Sequence, residues 1–169
     1  MSASHLVLIG LMGAGKTTVG RRCAKKLGRE LVDTDDVVVA HAGMPIDGIF
    51  RDGGEERFRE LERAAIADVV ASPAPLVIAT GGGAVLDAEN RRLLRGAGVV
   101  VWLRAPAEVL AGRVGDGRTR PLLNGDARTA LMRLEKLREP AYEAAAHSIV
   151  DTEGKDLDEV TDAVLGAFS

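Results

Sequence analysis

The sequence predicts an α/β protein built on a parallel β-sheet, and three observations carry that prediction. Short apolar runs recur along the chain, at Leu6–Ile9, Glu30–Val32, Leu76–Ala79, Val99–Leu103 and Ser148–Val150. Several are continuous rather than alternating, the pattern of strands covered on both faces. Each of the first four is followed by a helix-compatible stretch, so strands and helices alternate.

The first element organises the others. Leu6–Ile9 runs into Gly10-Leu11-Met12-Gly13-Ala14-Gly15-Lys16-Thr17, which opens into a helix-spaced segment that stops at Gly28. Strand, glycine turn and helix form the setting in which G-x-x-x-x-G-K-[ST] is a phosphate-binding loop. Glycines let the backbone turn tightly and aim several N–H groups inward as an anion nest. The helix that starts near Lys16 adds its positive dipole end at the same point. Lys16 is placed to reach the outer phosphates, and the Thr17 hydroxyl to coordinate Mg²⁺. The loop predicts a nucleoside triphosphate ligand.

Composition bounds the rest. A length of 169 residues predicts one domain with a real core, and 46% hydrophobic with 28% charged residues is ordinary for a globular protein. Aromatics are only 3%, so aliphatic side chains must fill that core. A net charge of −3 argues against a nucleic-acid partner, because no overall positive field gathers phosphate backbone. The single cysteine, Cys23, allows no intramolecular disulfide and fits a reducing cytosol; mid-helix, it reads as a small buried hydrophobe. The start of the chain has neither a charged n-region nor a long apolar h-region, and no run approaches membrane-spanning length. A soluble cytoplasmic enzyme with no membrane partner is expected. His5, His41 and His147 have no metal-ligand spacing.

Ligands of parallel α/β sheets bind beyond the carboxyl ends of the strands, so the residues there matter most. The first strand ends in the phosphate loop, the second in Asp33-Thr34-Asp35-Asp36, the third in Thr80-Gly81-Gly82-Gly83. The fourth runs into Arg104-Ala105-Pro106 and the fifth into Asp151-Thr152-Glu153-Gly154-Lys155. Asp33 and Asp35 fall on one face if the strand continues. Phosphoryl transfer needs a carboxylate near the metal and a second group to orient the acceptor hydroxyl, and these two can divide those tasks. The blander account makes Asp35 or Asp36 a helix cap. Gly81–Gly83 is either a loose turn or a bare backbone whose N–H groups a substrate can approach.

Glu55-Glu56-Arg57-Phe58-Arg59-Glu60-Leu61-Glu62-Arg63 alternates in charge, which on spacing alone is a solvated helix face. Phe58 and Leu61 mark its buried side, with Arg59 near the border. The stretch 113–126 combines glycine hinges with Arg113, Arg118 and Arg120, the make-up of a lid that closes over a polyphosphate, or of an ordinary polar loop. A helix is expected over 156–168, with Asp156 as N-cap and Asp158-Glu159 in its first turn.

Taken together, the motifs closely resemble shikimate kinases. The family's marks appear in order over essentially the whole chain: Gly10–Thr17, Asp33-Thr34-Asp35, Glu55-Glu56-Arg57-Phe58-Arg59-Glu60-Leu61-Glu62, Gly81–Gly83, Arg120-Pro121-Leu122-Leu123 and Arg138-Glu139-Pro140-Ala141-Tyr142. The phosphate loop alone is shared with many unrelated enzymes; the others together are specific.

The resemblance implies a three-layer αβα P-loop NTPase fold of the nucleoside-monophosphate-kinase type. It has a five-stranded parallel sheet in the order 2-3-1-4-5, a substrate-binding segment at about 34–63 and a lid at about 113–126. It implies ATP-dependent phosphorylation of the shikimate 3-hydroxyl, on the route to chorismate and the aromatic amino acids, by a monomer. Carried over by position, Asp35, Arg59, Gly81, Gly82, Gly83 and Arg138 would hold shikimate. Gly13, Ala14, Gly15, Lys16, Thr17 and Thr18 would hold the ATP phosphates with Arg120, and Arg113 and Lys155 would lie against the adenine. Thr17 would bind Mg²⁺ directly and Asp33 through water, while Lys16, Asp35 and Arg120 would carry the catalysis. A guanidinium fork bonds a carboxylate in two places, which suits Arg59 and Arg138 to the acid.

Two alternatives stand beside this reading. A gluconate-type small-molecule kinase would keep the phosphate loop but has no need to pair Arg59 with Arg138. A nucleotide-binding switch would use Asp151-Thr152-Glu153-Gly154 as a D-x-x-G motif, but that motif follows the last strand and no N-K-x-D accompanies it.

Overall fold

The structure, a computed structural model, describes residues 4–114 and 126–169. Among these, the strands β1 (His5–Ile9), β2 (Glu30–Asp33), β3 (Leu76–Ala79), β4 (Gly98–Arg104) and β5 (Ser148–Asp151) form a parallel sheet in the order β2-β3-β1-β4-β5. Most run slightly longer than the apolar runs, because Asp33, Arg104 and Asp151 join the ladder through their backbones whatever their side chains. β1 is central, with Leu6 opposite Val77 on one side and Val99 on the other. Leu6 to Ile9 are wholly buried, as a strand covered on both faces must be.

Helices flank the sheet. α1 (Lys16–Leu27) packs against α7 (Leu157–Phe168), while α3 (Ile46–Val70), α4 (Ala88–Ala97) and α6 (Ala127–Ala145) form a second row. α2 (Thr34–Ala42) packs on α3, and α5 (Ala107–Val114) on α6. The expected C-terminal helix is present, with Asp156 and Glu159 forming a reciprocal capping box. Cys23 is buried, and burial pushes its thiol up to about 11, so it is an inert core residue.

Two histidines finish strand backbones. His5 Nδ1 accepts the Leu76 N–H at 3.0 Å, and His147 Nδ1 accepts the Val100 N–H at 3.0 Å. Both satisfy backbone donors that would otherwise be unpaired. Arg95 does the corresponding work at the C-terminus of α6, where its Nη1 donates to the carbonyls of Ala144, Ala145 and Ala146.

A small second core of Val38, Ile49, Phe58 and Ala65 joins α2 to α3. α3 is broken at Gly54, whose φ of 71° and ψ of −176° lie in a region that only glycine occupies readily. A Cβ on Gly54 would meet nothing within 4 Å, so the backbone angle alone opposes a side chain there. Gly54→Ala is therefore expected to lower unfolding stability by about 1–3 kcal/mol, measured by urea denaturation; an unchanged midpoint would show that the break carries no strain.

Candidate active site

The phosphate loop leaves β1 at the sheet's switch point, where β3 and β4 lie on opposite sides of it. Gly10 (φ 151°), Gly13 (81°) and Gly15 (95°) all have left-handed or otherwise glycine-favouring backbones. At Gly10 space is short as well, since a Cβ would sit 2.5 Å from the Leu103 carbonyl oxygen. Gly15 caps α1 without a side chain, leaving that helix's first N–H groups open to an anion. Lys16 Nζ donates to the Gly10 and Leu11 carbonyls at 2.5 and 3.0 Å, so it lies across its own loop. The Thr17 hydroxyl donates to Asp33 Oδ2 at 2.8 Å, which brings the two oxygen ligands expected for Mg²⁺ into direct contact.

Asp33 and Asp35 do not share a strand face. β2 ends at Asp33 and α2 begins at Thr34, because Asp33 itself caps the helix by accepting the Asp35 N–H at 2.9 Å. The cap is thus neither Asp35 nor Asp36, and Asp36 is exposed. Turning at Thr34 sets Asp35 against the glycine run, with Oδ1 2.8 Å from where a Gly81 Cβ would stand. Asp35 Oδ1 is buried with no hydrogen-bond partner among the described residues. Burial, reinforced by the carboxylates of Asp33 and Glu62 and opposed by Lys16, pushes the Asp35 carboxyl up to about 6.

None of Gly81, Gly82 and Gly83 has a positive φ, so these positions need the missing side chain rather than backbone freedom. A Cβ on Gly81 would lie 2.8 Å from Asp35 Oδ1 and 2.9 Å from Glu62 Oε2. On Gly82 it would lie 3.0 Å from Arg138 Nη1, and on Gly83 it would strike the Arg59 guanidinium. Each glycine makes room for a different charged group. The Gly81 N–H is already taken by Thr34 Oγ1 at 3.2 Å, so it is not among the backbone donors open to a substrate.

Arg59 and Glu62 pair at 2.9 Å, one turn apart on α3, and Glu55 adds a longer contact to Arg59 at 3.2 Å. Burial works against the Arg59 charge, but the two carboxylates prevail and hold it above its ordinary value. Glu62 is raised by burial in spite of Arg59. Arg138 is 2% exposed, and its Nε and Nη1 have no partner among the described residues. A cation buried with open donors is a receptor for an anion.

A cleft of about 550 Å³ opens over the phosphate loop. Its wall includes the predicted Gly13 to Thr18, Asp33, Asp35, Gly81, Gly82, Arg113 and Lys155. The predicted Arg59, Gly83 and Arg138 are not in that wall; Arg138 lies against Gly82 and Arg59 against Gly83, behind the glycine run. Arg113, in the last turn of α5, donates to the Gly13 carbonyl at 3.1 Å and to Thr152 Oγ1 at 3.4 Å. Arg120, and with it Arg118 and the Arg120–Leu123 motif, lies outside the described residues. Asp151 does not face a nucleotide as a switch residue; Arg104 donates to both its oxygens, at 2.7 and 3.1 Å.

Three residues escaped the sequence reading. Glu62 had a signal: it is four residues from Phe58, three from Ala65 and four from Ile66, so a carboxylate sits in the apolar stripe of α3. Thr34 and Tyr142 were visible as motif members, but nothing local indicated what their hydroxyls bond.

A phosphate loop at the carboxyl end of a parallel sheet, faced by buried arginines across a run of glycines, is the construction of a P-loop kinase for a small anionic acceptor. The shikimate kinase family model matches residues 12–168. A shikimate kinase of Caldicellulosiruptor bescii is 49% identical over 139 residues, which is 82% of this chain and 80% of that one. One from Moorella thermoacetica is 47% identical over 152 residues, 90% of this chain and 87% of the other. The solved shikimate kinase from Acinetobacter baumannii in complex with shikimate superposes with a TM-score of 0.92 at 37% identity, covering 97% of this chain and 92% of that one. The chain belongs to the shikimate kinase family. A gluconokinase from Sinorhizobium meliloti shares the fold alone, with a TM-score of 0.67 at 23% identity over 99% of this chain and 92% of the other.

The raised Asp35 carboxyl has opposite consequences for stability and for chemistry. In the fold it keeps its proton up to about pH 6, whereas an unfolded carboxyl releases it near 3.8. Ionisation above pH 6 therefore costs stability, and that cost fades as the pH falls through 6 toward 4. Asp35→Asn is expected to melt about 5 °C higher than the parent at pH 8 and to show no gain at pH 4. An equal gain at both pH values in nucleotide-free thermal scans would assign the effect to packing.

Proposed function

We propose that this chain transfers the γ-phosphoryl group of ATP to the 3-hydroxyl of shikimate, giving shikimate 3-phosphate and ADP. The observation that carries the reading is Arg138, a buried guanidinium with open donors set across Gly82 from the phosphate loop. Shikimate carries one carboxylate and three hydroxyls. In this reading Arg138 and Arg59 receive the carboxylate, Glu62 keeps Arg59 in place, and the glycine run leaves the room that these head groups fill. The segment 34–63 is the acceptor-binding part, held together by its own small core.

Asp35 stands where a hydroxyl between the arginines and the phosphate loop would find an acceptor. Ionised above about pH 6, it accepts the proton as the 3-oxygen attacks the γ-phosphorus and the bond to the β–γ bridging oxygen breaks. The loop N–H groups and Lys16, released from its carbonyl contacts, hold the phosphate oxygens. Thr17 and Asp33 offer oxygen ligands alone, which fits Mg²⁺, an ion that takes few protein ligands and completes its shell with phosphate and water. Bound with ATP, Mg²⁺ supplies charge neutralisation at the transferred group. Thr18, Arg113 and Lys155 complete the nucleotide side.

The net charge of −3 and the buried, inert Cys23 support a cytoplasmic enzyme without a nucleic-acid partner, and this reading takes it to be a monomer. Among the described residues no helix is long and apolar enough to cross a membrane.

An ADP-release assay with purified protein is expected to show ATP consumption that depends on shikimate, with gluconate and nucleoside monophosphates inert. Equal turnover with gluconate would sink the assignment. kcat/KM for shikimate should fall on the acid side with an apparent pKa near 6. Arg138→Lys, which cannot bond a carboxylate bidentately, should raise the shikimate KM at least about tenfold and leave the ATP KM unchanged; a rise in the ATP KM instead would move Arg138 to the nucleotide.

A further inference from the structure

We infer that Thr34, Asn90 and Tyr142 are positioning residues that clamp the glycine run and the Ala84 that follows it in their substrate-facing shape, an inference that rests on the acceptor reading above. Three consecutive glycines have no side chains to pack and lose more conformational freedom on ordering than any other residues. Their local bonds are sparse: Ala84 N–H to the Gly81 carbonyl and Leu86 N–H to the Gly83 carbonyl, both 3.1 Å. The order must come from elsewhere.

Three buried side chains from three helices supply it. The Gly81 N–H donates to Thr34 Oγ1 at 3.2 Å, from the first residue of α2. The Tyr142 hydroxyl on α6 donates to the Gly82 carbonyl in a short bond. Asn90 Nδ2 on α4 donates to the Ala84 carbonyl at 3.0 Å. Each takes a different backbone group, and the three residues are 0%, 1% and 1% exposed, so water does not compete for the bonds. Tyr142 stacks on Trp102 with ring centroids 5.3 Å apart, which fixes its direction. Burial pushes its hydroxyl up to about 12, so it remains a donor.

The clamp matters because Gly82 is where the two halves of the cleft meet. The point where its Cβ would stand is 3.0 Å from Arg138 Nη1, 3.6 Å from the Gly10 carbonyl oxygen and 3.7 Å from the Met12 nitrogen. Displacing this loop alters the spacing between the phosphate loop and the acceptor arginine, and misplacement by about 1 Å costs about a hundredfold in rate. Two anchors also adjoin site residues in the chain. Thr34 lies between Asp33 and Asp35, and Tyr142 is one helical turn after Arg138.

Tyr142→Phe keeps the ring on Trp102 and removes only the donor; Thr34→Val keeps the shape and removes the acceptor. Each is expected to raise the shikimate KM about tenfold with the ATP KM unchanged, and Thr34→Ser to restore it. The double variant should lose less than the product of the single losses, since both act on one loop. Amide hydrogen exchange across 81–86 in the ligand-free protein should quicken in Tyr142→Phe, with β1 unaffected. Unchanged loop exchange would overturn the clamp, and faster exchange with an unchanged shikimate KM would overturn its part in acceptor binding. A parent enzyme with no shikimate-dependent turnover would overturn the acceptor reading itself, and loop exchange would still decide the clamp.

Discussion

Two arginines and two carboxylates packed against one short backbone run form the constraint on which the cleft depends. Burying charge is costly unless each group is paired, and here the pairing is incomplete. Arg59 and Glu62 satisfy one another at 2.9 Å, while Asp35 Oδ1, Glu62 Oε2 and two nitrogens of Arg138 have no partner among the described residues. Such a cluster is a poor source of stability and a good receptor, because the free energy still to be gained requires a ligand carrying both an anion and hydroxyls. The three glycines make the cluster possible. Any Cβ on Gly81 or Gly83 would occupy volume that a charged head group now fills.

The donor side follows a different logic. Its polar groups are mostly backbone, set by glycine angles and by the open end of α1, so they have little freedom to misalign. β1 delivers them from the fully buried centre of the sheet. Joining this rigid donor to an acceptor side made of long side chains takes a connection of fixed length, and Gly82 provides it. Its neighbours include Gly10 and Met12 of the loop and Arg138 of α6.

The proposed acceptor side is itself assembled from two parts. Asp35, Arg59 and Glu62 come from α2 and α3, which share the small core of Val38, Ile49, Phe58 and Ala65. Arg138 and Tyr142 come from α6, where Tyr142 belongs to the main core with Trp102. The two parts meet at the glycine run, where Thr34 of α2 accepts from the Gly81 N–H and Tyr142 of α6 donates to the Gly82 carbonyl. In the proposed reading, substrate recognition and the packing of two cores are therefore not separable.

What could be read from the chain alone was whatever depends on neighbours in sequence. The phosphate loop, five strands, the cap at Asp156 and the acidic pair after β2 are each written within a few residues, because backbone turns, strand burial and caps are local matters. Residue types at the strand ends were equally legible, since parallel topology sends every carboxyl end to one side. Only the tertiary structure decided that β2 stops at Asp33, that Asp33 rather than Asp35 or Asp36 caps α2, and that Glu62 leaves the solvated face to pair beneath the glycines. It also decided what the glycines are for. In sequence they suggested flexible backbone with open N–H groups; folded, their missing side chains leave volume that charged head groups fill, and one N–H is already bonded to Thr34. The reason is physical: a missing Cβ acquires meaning only from the atoms that occupy its place, and those atoms come from helices tens of residues away.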